Sequence, residues 1–457
     1  MSEELAKKLK PSHSSAPRMY GLPKIHKEGV PLRPITSMIG SPAYGIAAYL
    51  TKIISPALGK TEYTVPNSSS FVDELKQLDL NGSEEMMSFD VVSLFTRVPV
   101  QEAVDVICDK LAEDDTLFER SEIGVDSIRK LMLACLECRY FLCLGAFYEQ
   151  KEGAPMGLSL SVVLANAYME HLEQSILTSA TLKPTLWRRY VDDTFILWPH
   201  GDEALQEFHQ RLNDFCPSIQ FTLEREVDQK LPFLDVLVQR SEGRLGTSVY
   251  RKATASNVYL KYNSSHPAAM KAGLIRCMEA RARRVCSDMS SVKEEKSKIR
   301  DVFVANGYPE PFIKRAMRRR DASQTVQGEA AARDQEAYAA VPYVPGLSER
   351  IAKVLRPHRI KVAHKSKRLR GHLVNVKDPV EQSKKKGAVY EIKCSCGSSY
   401  IGESGRPKQD RLKEHTADIK HGRCDTSATA RHFCTCGGDL NPFEARTLAI
   451  EPHWKKT

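Results

Sequence analysis

The pattern of hydrophobic and polar positions divides most of the chain into an α/β portion and a helical portion. From Tyr20 to about His266, short apolar runs with strand-like spacing alternate with longer amphipathic runs, and turn-forming residues separate them. This alternation predicts one mixed α/β domain. From about Met270 to Arg320, apolar positions recur with helical spacing among dense charges, which predicts a basic helical subdomain.

The composition changes after the helical segment. Residues 321–341 are polar, rich in alanine and glutamine and poor in aromatic residues, so a linker or a solvated helix is predicted there. Residues 342–383 are strongly basic, which is typical either of a solvated face or localisation signal, or of a surface that holds phosphates. The predicted segments are 1–268, 269–320, 321–341, 342–383 and 384–457.

Length and charge narrow the class of protein. The chain has 457 residues, which suggests two or three domains, and 67 Lys and Arg against 57 Asp and Glu favour a polyanionic partner. We find no apolar run of 18 residues and no signal sequence, so we expect a nuclear or cytoplasmic protein that does not enter a membrane. In such a reducing compartment the 12 cysteines are predicted to be thiols and not disulfides.

Three acidic residues suggest metal chemistry. Asp90 is the single acid in the apolar run SFDVVSLF, where a buried carboxylate would require a cationic partner. Asp192 and Asp193 lie between apolar and aromatic runs, which predicts a β-hairpin whose turn presents both carboxylates. Adjacent carboxylates raise each other's pKa unless a divalent metal neutralises them. Such pairs also occur in ordinary surface turns, so the pair alone does not decide the question.

The acidic segments, taken in order, resemble the motifs of reverse transcriptases. FDVVSLFT is similar to motif A, residues 153–157 with 164–166 are similar to motif B, and YVDD is similar to motif C. The resemblance implies an α/β (α+β) fold with a right-hand fingers and palm polymerase domain and a helical basic extension. It also implies that Asp90, Asp192 and Asp193 hold two Mg²⁺ or Mn²⁺ ions for nucleotide transfer to a primer 3′-OH.

The same resemblance assigns substrate-binding positions. Phe95 matches a bulky side chain that clashes with a ribose 2′-OH, and Gly157 matches a glycine that lets the backbone approach the templating pair. Lys24 and Arg33, in YGLPKIHK and PLRPI, would contact the triphosphate, with ordinary solvated bases as the alternative. Tyr190 of YVDD is assigned to substrate binding. The implied partners are an RNA template, a DNA primer or target, and deoxynucleoside triphosphates.

Later segments narrow the resemblance and add a second activity. YGLPKIHK, PLRPI, SLFT, FLDV and VYRK together resemble Penelope-like retroelements, whose polymerase is often joined to a small α/β GIY-YIG endonuclease. Tyr390 and Tyr400 match the two halves of that signature, and Arg411 and His415 follow at the i, i+4 spacing of one helix face. The resemblance implies that a tyrosine helps to activate water and that the arginine stabilises phosphate charge. Ordinary strand tyrosines are the alternative.

The late cysteines form two CxC pairs. Cys394, Cys396, Cys434 and Cys436 could converge on Zn²⁺, or they could be reduced thiols without a metal. His432 matches a further histidine of the nuclease family with low specificity. Asp235, in the segment that is similar to a later palm strand, is left unassigned, and Phe233 and Leu234 are explained by core packing.

Three departures from the family pattern shape the functional hypotheses. The run after Gly157 lacks the expected prolines, the chain begins close to the fingers motif, and it ends before the helix that should supply a metal-binding glutamate. We therefore expect an RNA-directed DNA polymerase of a retrotransposon, truncated at both ends, with an impaired endonuclease. The alternative is a catalytically inactive nucleic-acid-binding remnant of a mobile element. The sequence predicts no oligomeric state.

Overall fold

The N-terminal part of the chain forms a four-stranded sheet that includes the predicted fingers segment. The computed structural model describes residues 2–11, 14–25, 29–241, 243–318, 337–365, 377, 381, 384–437 and 441–450. Helix α1 (Glu3–Leu9) precedes the sheet, whose strands, in the order β2-β1-β4-β5, are β1 (Arg18–Pro23), β2 (Leu32–Ser37), β4 (Tyr140–Cys143) and β5 (Ala146–Glu149). Strands β1 and β2 are antiparallel, so the PLRPI segment lies beside YGLP.

A second sheet of four antiparallel strands forms the centre of the first domain. Its order is β6-β7-β3-β8, with β3 (Glu85–Val91), β6 (Leu186–Tyr190), β7 (Asp193–Trp198) and β8 (Phe221–Arg225). Apolar residues fill the interior of β3 and β7, and both of these strands are buried over most of their length. Strands buried on both faces carry continuous apolar runs, which explains why SFDVV and TFILW lack strict alternation.

Helices cover this central sheet and build the main core. They are α2 (Ala43–Ile54), α3 (Ser68–Leu75), α4 (Leu94–Arg97), α5 (Val100–Ala112), α6 (Leu117–Arg120), α7 (Val125–Leu136), α8 (Ser159–Ser179) and α9 (Gly201–Phe215). Helix α8 packs against both α2 and α5, and most of its side chains are buried. The predicted mixed α/β domain is confirmed.

A third sheet connects the central domain to a helical subdomain. Strands β9 (Lys230–Phe233), β10 (Val236–Ser241) and β11 (Arg244–Val249) are antiparallel. Helices α10 (Ala268–Val285), α11 (Met289–Ala305) and α12 (Glu310–Arg318) then pack around a core of their own that includes Ile299 and Phe303. Residues 269–320, which the sequence predicts to be a basic helical subdomain, are helical over most of their described part.

The predicted linker and basic connector contain regular structure. Strand β12 (Ala337–Pro342), helix α13 (Leu347–Leu355) and strand β13 (Ile360–Lys365) form a β-α-β unit with parallel strands. The prediction of a linker to residue 341 is therefore wrong at its end, because a strand begins at Ala337. Its alanines fit beside β13 as a second strand, which local composition could not show. Residues 319–336 lie outside the described part of the chain.

The C-terminal part forms a small α/β unit. Strands β14 (Ala388–Lys393), β15 (Ser399–Ser404) and β16 (Arg446–Ile450) form an antiparallel sheet in the order β15-β14-β16. Helices α14 (Lys408–Lys420) and α15 (Ala428–Cys436) contact each other, and Tyr390, Ile392 and Leu412 lie in the core of the unit. Among the described helices, none is both long and apolar enough to cross a membrane.

Candidate active sites

The pairing of two central strands brings the predicted acids together. Asp90 on β3 lies directly opposite Asp193 on β7, and β6 and β7 form a tight hairpin in which Tyr190 pairs with Asp193. Val191 and Asp192 make the turn, with Val191 in the left-handed region at φ +59°. The predicted hairpin is confirmed. We call Asp90, Asp192 and Asp193 the palm carboxylate site.

The backbone fixes the third acid against the first strand. The amide of Val91 donates a hydrogen bond of 3.0 Å to the carbonyl of Asp192. This hydrogen bond holds Asp192, in the turn, beside Val91, which is the residue after Asp90 on β3. All three acids consequently project from one end of the sheet, which sequence spacing of about a hundred residues could not establish.

The pKa of Asp193 is raised by its surroundings. Burial, and next to it the negative charges of Asp90 and Asp192, raise the pKa of Asp193 to about 6, although a hydrogen bond from Ser88 works in the opposite direction. That bond is 3.1 Å long. A carboxylate whose ionised form is disfavoured by neighbouring carboxylates gains most from a nearby divalent cation. The donor set therefore fits Mg²⁺ or Mn²⁺, both of which prefer oxygen ligands.

The prediction that Asp90 is buried was wrong. Its side chain is exposed at the end of β3, whereas the four preceding residues, from Met86 to Phe89, are buried. Val91, the next residue of the strand, is buried again, so only the Asp90 side chain points out of the core and desolvation does not force a cation onto this residue. The case for a metal depends instead on the convergence of three acids and on the burial of Asp193.

A buried ion pair that no sequence motif indicates supports the turn. Arg189 is 1% exposed and Glu173 on α8 is fully buried, and their side chains lie 2.6 Å apart. Arg189 also donates hydrogen bonds to the carbonyl of Val191 at 3.1 Å and to Asn166 at 3.2 Å. The guanidinium thus links the turn before Asp192 to α8. The available signal was the pair of arginines, Arg188 and Arg189, within a short strand of aromatic and aliphatic residues.

Glycine at position 157 is required by contact with the fingers strand. Gly157 has φ +85°, and a Cβ atom there would lie 1.8 Å from the carbonyl oxygen of Thr36 on β2. The structure therefore explains this glycine by an internal contact, while its predicted approach to a templating pair stays a prediction. Phe95 lies on α4, half-buried against the main core, and its carbonyl accepts a bond of 2.8 Å from Ala154.

The two predicted phosphate ligands lie at one end of the fingers hairpin. Lys24 follows β1 and is half-buried, and its amide donates to the carbonyl of Pro31 at 2.9 Å. Arg33 is exposed on β2, three residues before Thr36, the residue that contacts Gly157. The hairpin therefore connects both cations to the motif around Gly157. His26 and Lys27 of the same motif lie outside the described residues.

Comparison with known protein families finds a match for the segment that contains these residues. Residues 25–227 match the family model described as reverse transcriptase (RNA-dependent DNA polymerase). This segment, somewhat less than half of the chain, is therefore similar to reverse transcriptases. This match includes the palm carboxylate site and confirms the resemblance over these residues. Residues 258–318 match the model of an animal helix-turn-helix domain, which coincides with α10, α11 and α12.

Solved polymerase structures also align with the chain. Telomerase from Candida albicans, in complex with a fragment of telomeric RNA, is 12% identical with a TM-score of 0.45, and the alignment covers 69% of this chain and 56% of that one. The Sicinivirus 3Dpol RNA-dependent RNA polymerase is 13% identical with a TM-score of 0.42, covering 69% and 70%. The chain thus spans just over half of the telomerase. No curated protein matches it.

Downstream of the segment that matches the reverse transcriptase family, Asp235 has a structural contact. Its carboxylate accepts a hydrogen bond from Ser68 and lies 2.6 Å from the guanidinium of Arg281 on α10. The residue therefore joins the third sheet to the helical subdomain. Phe233 is buried and packs against Phe71 and Phe195, in agreement with its prediction as a core residue. Tyr190 is exposed beside the turn.

The C-terminal unit brings its predicted residues together at a second site. The hydroxyl of Tyr390 and Nε2 of His415 are hydrogen-bonded at 2.8 Å, and Nδ1 of His415 lies 3.0 Å from the hydroxyl of Thr429. Tyr400 packs edge-on against His415 with ring centroids 5.2 Å apart. We call Tyr390, Tyr400, Arg411, His415 and Thr429 the tyrosine site. Thr429 was missed because no spacing rule connects it to α14.

Electrostatics keep the buried groups of the tyrosine site neutral. Burial raises the pKa of Tyr390, and burial together with the positive charge of Arg411 lowers the pKa of His415. Arg411 donates a hydrogen bond of 2.7 Å to Glu414 and is partly exposed. The predicted i, i+4 placement of Arg411 and His415 on one helix is confirmed, although the histidine is buried and the arginine reaches the surface.

A glycine of the second signature half makes the tyrosine contact possible. A Cβ atom at Gly402 would lie 2.6 Å from the hydroxyl of Tyr390 and 2.7 Å from the ring of Tyr400. Gly402 pairs directly with Tyr390 across β14 and β15. The glycine therefore leaves space for both aromatic rings on one face of the sheet. Glu444 is exposed and accepts a bond from Asn441, and Glu451 lies outside the described residues.

The predicted cysteine cluster has a different composition. Cys394, Cys396, His432 and Cys436 place their ligand atoms within 4.8 Å of one another. Cys434, one of the four possible zinc ligands named from the sequence, is instead joined to Cys424 in a disulfide, so the prediction that the cysteines are thiols and not disulfides is wrong for this pair. Both results have one cause, because α15 directs residues 432 and 436 to one side and residue 434 to another.

Proposed function

We propose that this protein is an RNA-directed DNA polymerase. The observation that carries the proposal is the convergence of Asp90, Asp192 and Asp193 at one end of a sheet within the segment that matches the reverse transcriptase family. Three carboxylates at one site are the ligands expected for the divalent ions of a two-metal phosphoryl transfer. The bound cations would lower the pKa of a primer hydroxyl and stabilise the leaving pyrophosphate.

The surrounding residues are assigned to the substrates. Lys24 and Arg33 would bind the triphosphate of an incoming deoxynucleotide, and Phe95 would exclude a ribose 2′-OH. Tyr190, exposed beside the turn, and the backbone at Gly157 would contact the nucleic acid. The partners in this proposal are an RNA template, a DNA primer or target, and deoxynucleoside triphosphates.

Primer extension on an RNA template tests the polymerase. We expect wild-type protein with Mg²⁺ or Mn²⁺ to extend a DNA primer, and Asp192→Ala to lose at least about three orders of magnitude in rate because a metal ligand is removed. Glu85→Gln is the matched control, since Glu85 is an exposed acid at the other end of β3. Equal product from wild type and Asp192→Ala would remove the assignment. Absence of extension by folded wild type would favour the inactive, nucleic-acid-binding remnant.

Sugar selection tests the role of Phe95 separately. If its ring excludes the 2′-OH, Phe95→Ala should incorporate ribonucleotides more readily while it retains incorporation of deoxynucleotides. The measurement is the ratio of kcat/KM for the two sugars with one base. An unchanged ratio would show that Phe95 acts only through its packing against the core.

We propose in addition that the C-terminal unit is a GIY-YIG endonuclease of a Penelope-like retrotransposon. The contacts among Tyr390, His415 and Thr429, beside the partly exposed Arg411, support a role in phosphodiester cleavage. His415, kept neutral by burial, can accept a proton from Tyr390, and Arg411 would stabilise phosphate charge. A divalent cation would supply electrophilic assistance in such a nuclease.

Nicking of supercoiled duplex DNA tests the nuclease. Arg411→Ala should abolish nicking, whereas Arg423→Ala should not, because Arg423 is exposed and pairs with Asp418, which is not one of the residues of the tyrosine site. Neither variant should change primer extension, so the two activities can fail independently. A wild type that extends primers and leaves the duplex intact would remove the nuclease assignment without affecting the polymerase assignment.

Zn²⁺ is proposed at the cluster of Cys394, Cys396, His432 and Cys436. Three thiolates and one imidazole are a common ligand set for structural zinc. Cobalt substitution followed by visible absorption should report a tetrahedral thiolate site, and Cys396→Ser should weaken it. Cys277→Ser, an exposed thiol in the helical subdomain, is the control. The absence of thiolate-to-cobalt bands in wild type would show that these residues hold no metal.

A further inference from the structure

The β-α-β unit of residues 337–365 is a separate, strongly basic element. It contains six Lys or Arg residues and one acid, Glu349. Glu349 is already engaged at the start of α13, where it accepts bonds from the hydroxyl of Tyr343 and the amide of Gly346. The surface of the unit therefore carries a net positive charge, which favours a polyanionic partner.

The two strands present a face that is distinct from the face covered by α13. Along β13, Ile360, Val362 and His364 are half-buried, whereas Lys361, Ala363 and Lys365 are exposed. Since side chains alternate between the faces of a strand, the exposed residues share one face. His364 packs edge-on against Tyr343, which places it on the covered side. In the described part of the chain, the other face is left accessible.

An aromatic ring stands next to the lysines on this accessible face. Tyr338 on β12 lies in register with Lys361 on β13, and its side chain is 68% exposed. Ala340 lies in register with Ala363, so the centre of the face is flat. Lys365 follows at the far end, about 13 Å from Lys361 for four residues of a strand. An exposed ring, a flat floor and two separated cations therefore occur together.

We propose that this face, made of Tyr338, Ala340, Lys361, Ala363 and Lys365, binds single-stranded nucleic acid. Tyr338 would stack on an unpaired base, and the two lysines would contact different phosphates of the same strand. A duplex offers phosphates but no accessible base face, so stacking selects the single strand. The proposal is independent of the polymerase and nuclease assignments, since it uses none of their residues.

A tryptophan in place of the tyrosine reports binding at this face within the full-length protein. Tyr338→Trp retains a stacking ring, and its fluorescence should be quenched when an oligonucleotide of twelve deoxythymidines is added. Trp187 and Trp198 are buried, and wild-type protein measured in parallel gives the background signal. Binding at the polymerase site contributes equally to the quenching of both proteins, so it does not contribute to the difference between the Tyr338→Trp variant and wild type. No quenching difference between the variant and wild type would overturn the proposal.

An abasic oligonucleotide separates stacking from charge. The same backbone without bases should bind about tenfold more weakly in the quenching assay, in the lower part of the range expected for loss of one stacked base. A duplex of equal length should compete with the oligonucleotide of twelve deoxythymidines as weakly as the abasic strand does. Equal affinity for the abasic strand or for the duplex would show a general basic surface and would overturn the proposal.

Charge variants on the Tyr338→Trp background locate the phosphates. Lys361→Gln and Lys365→Gln should each weaken binding and reduce its dependence on salt, because each removes one phosphate contact. Lys353→Gln on α13 removes the same charge away from the accessible face and is the matched control. If Lys353→Gln weakens quenching as much as Lys365→Gln does, the proposed face is wrong.

Discussion

The palm carboxylate site and the tyrosine site solve opposite electrostatic problems. At the first, burial together with the negative charges of Asp90 and Asp192 raises the pKa of Asp193 to about 6, so the site gains from an added positive charge. At the second, Tyr390, His415 and Thr429 satisfy one another through hydrogen bonds, and burial keeps the phenol and the imidazole neutral. The palm carboxylate site would therefore be stabilised by bound cations. The hydrogen bond of the tyrosine site provides a path for a proton between Tyr390 and His415.

The two sites also differ in what holds them in place. Strand pairing and the buried Arg189–Glu173 ion pair position the acids, so charged groups support charged groups. Steric fit positions the tyrosine site, because the absence of a side chain at Gly402 leaves space for the rings of Tyr390 and Tyr400. Substitutions that remove support should therefore cost more free energy at the palm than at the C-terminal unit.

The largest effect is expected from the buried ion pair. Arg189→Met leaves Glu173 buried without its cation and should lower the free energy of unfolding by about 3–5 kcal/mol. Arg188→Met is the neighbouring control, and it should cost only about 1 kcal/mol because the Arg188–Glu74 pair is partly exposed. Urea unfolding followed by circular dichroism measures both. Equal losses would show that burial of the pair does not matter to the palm.

A slightly smaller effect on stability is expected at the contact between Gly157 and Thr36 of β2. Gly157→Ala adds a Cβ that meets the carbonyl of Thr36, and it should destabilise the protein by about 2–4 kcal/mol. Gly145→Ala has a similar φ of +81° but meets no described atom within 4 Å, so it should show only the backbone cost of about 1–2 kcal/mol. The difference between the two variants isolates the contact. If they lose the same stability, β2 can move away from Gly157.

The raised pKa of Asp193 predicts that the free energy of unfolding depends on pH. The expected change is about 1–2 kcal/mol, which includes a discount for the partial exposure of the side chain. Its folded pKa lies above the ordinary value, so the folded state holds the proton more tightly than the unfolded chain does. The stability contributed by that proton is lost as pH rises toward 6 and beyond. Asp193→Asn should therefore stabilise the metal-free protein at pH 7.5 and much less at pH 4.5.

Denaturation in EDTA at the two pH values measures this effect. Added Mg²⁺ should stabilise wild type and reduce the advantage of Asp193→Asn, because the cation supplies the missing positive charge. A variant that is less stable than wild type at pH 7.5 would contradict the raised pKa of Asp193.

The smallest effect is expected in the C-terminal unit. Thr429→Val removes the partner of His415 Nδ1 and should lower the unfolding free energy of this unit by about 1 kcal/mol. Thr435→Val is the control, since Thr435 is exposed and bonds only to backbone carbonyls. Hydrogen exchange of β14 amides measures the local change. A loss as large as that of Arg189→Met would reverse the ranking of the two sites.

Several features could be read from the sequence because they depend on neighbours along the chain. The hairpin around Asp192 and Asp193 follows from two apolar runs joined by a short turn, and the shared helix of Arg411 and His415 follows from their spacing. The order of the acidic motifs was sufficient for the reverse transcriptase prediction, which the family match confirms. Local periodicity and motif order can be recognised without knowledge of the fold.

Other features were decided by contacts between distant segments. The exposure of Asp90, the link from Arg189 to Glu173, the collision that requires Gly157, and the replacement of Cys434 by His432 all depend on which elements pack together. Burial and ligand geometry are properties of three-dimensional neighbours, and a linear pattern specifies only a residue's own face of its helix or strand. The sequence therefore determined which groups are present, and the tertiary structure decided which of them meet.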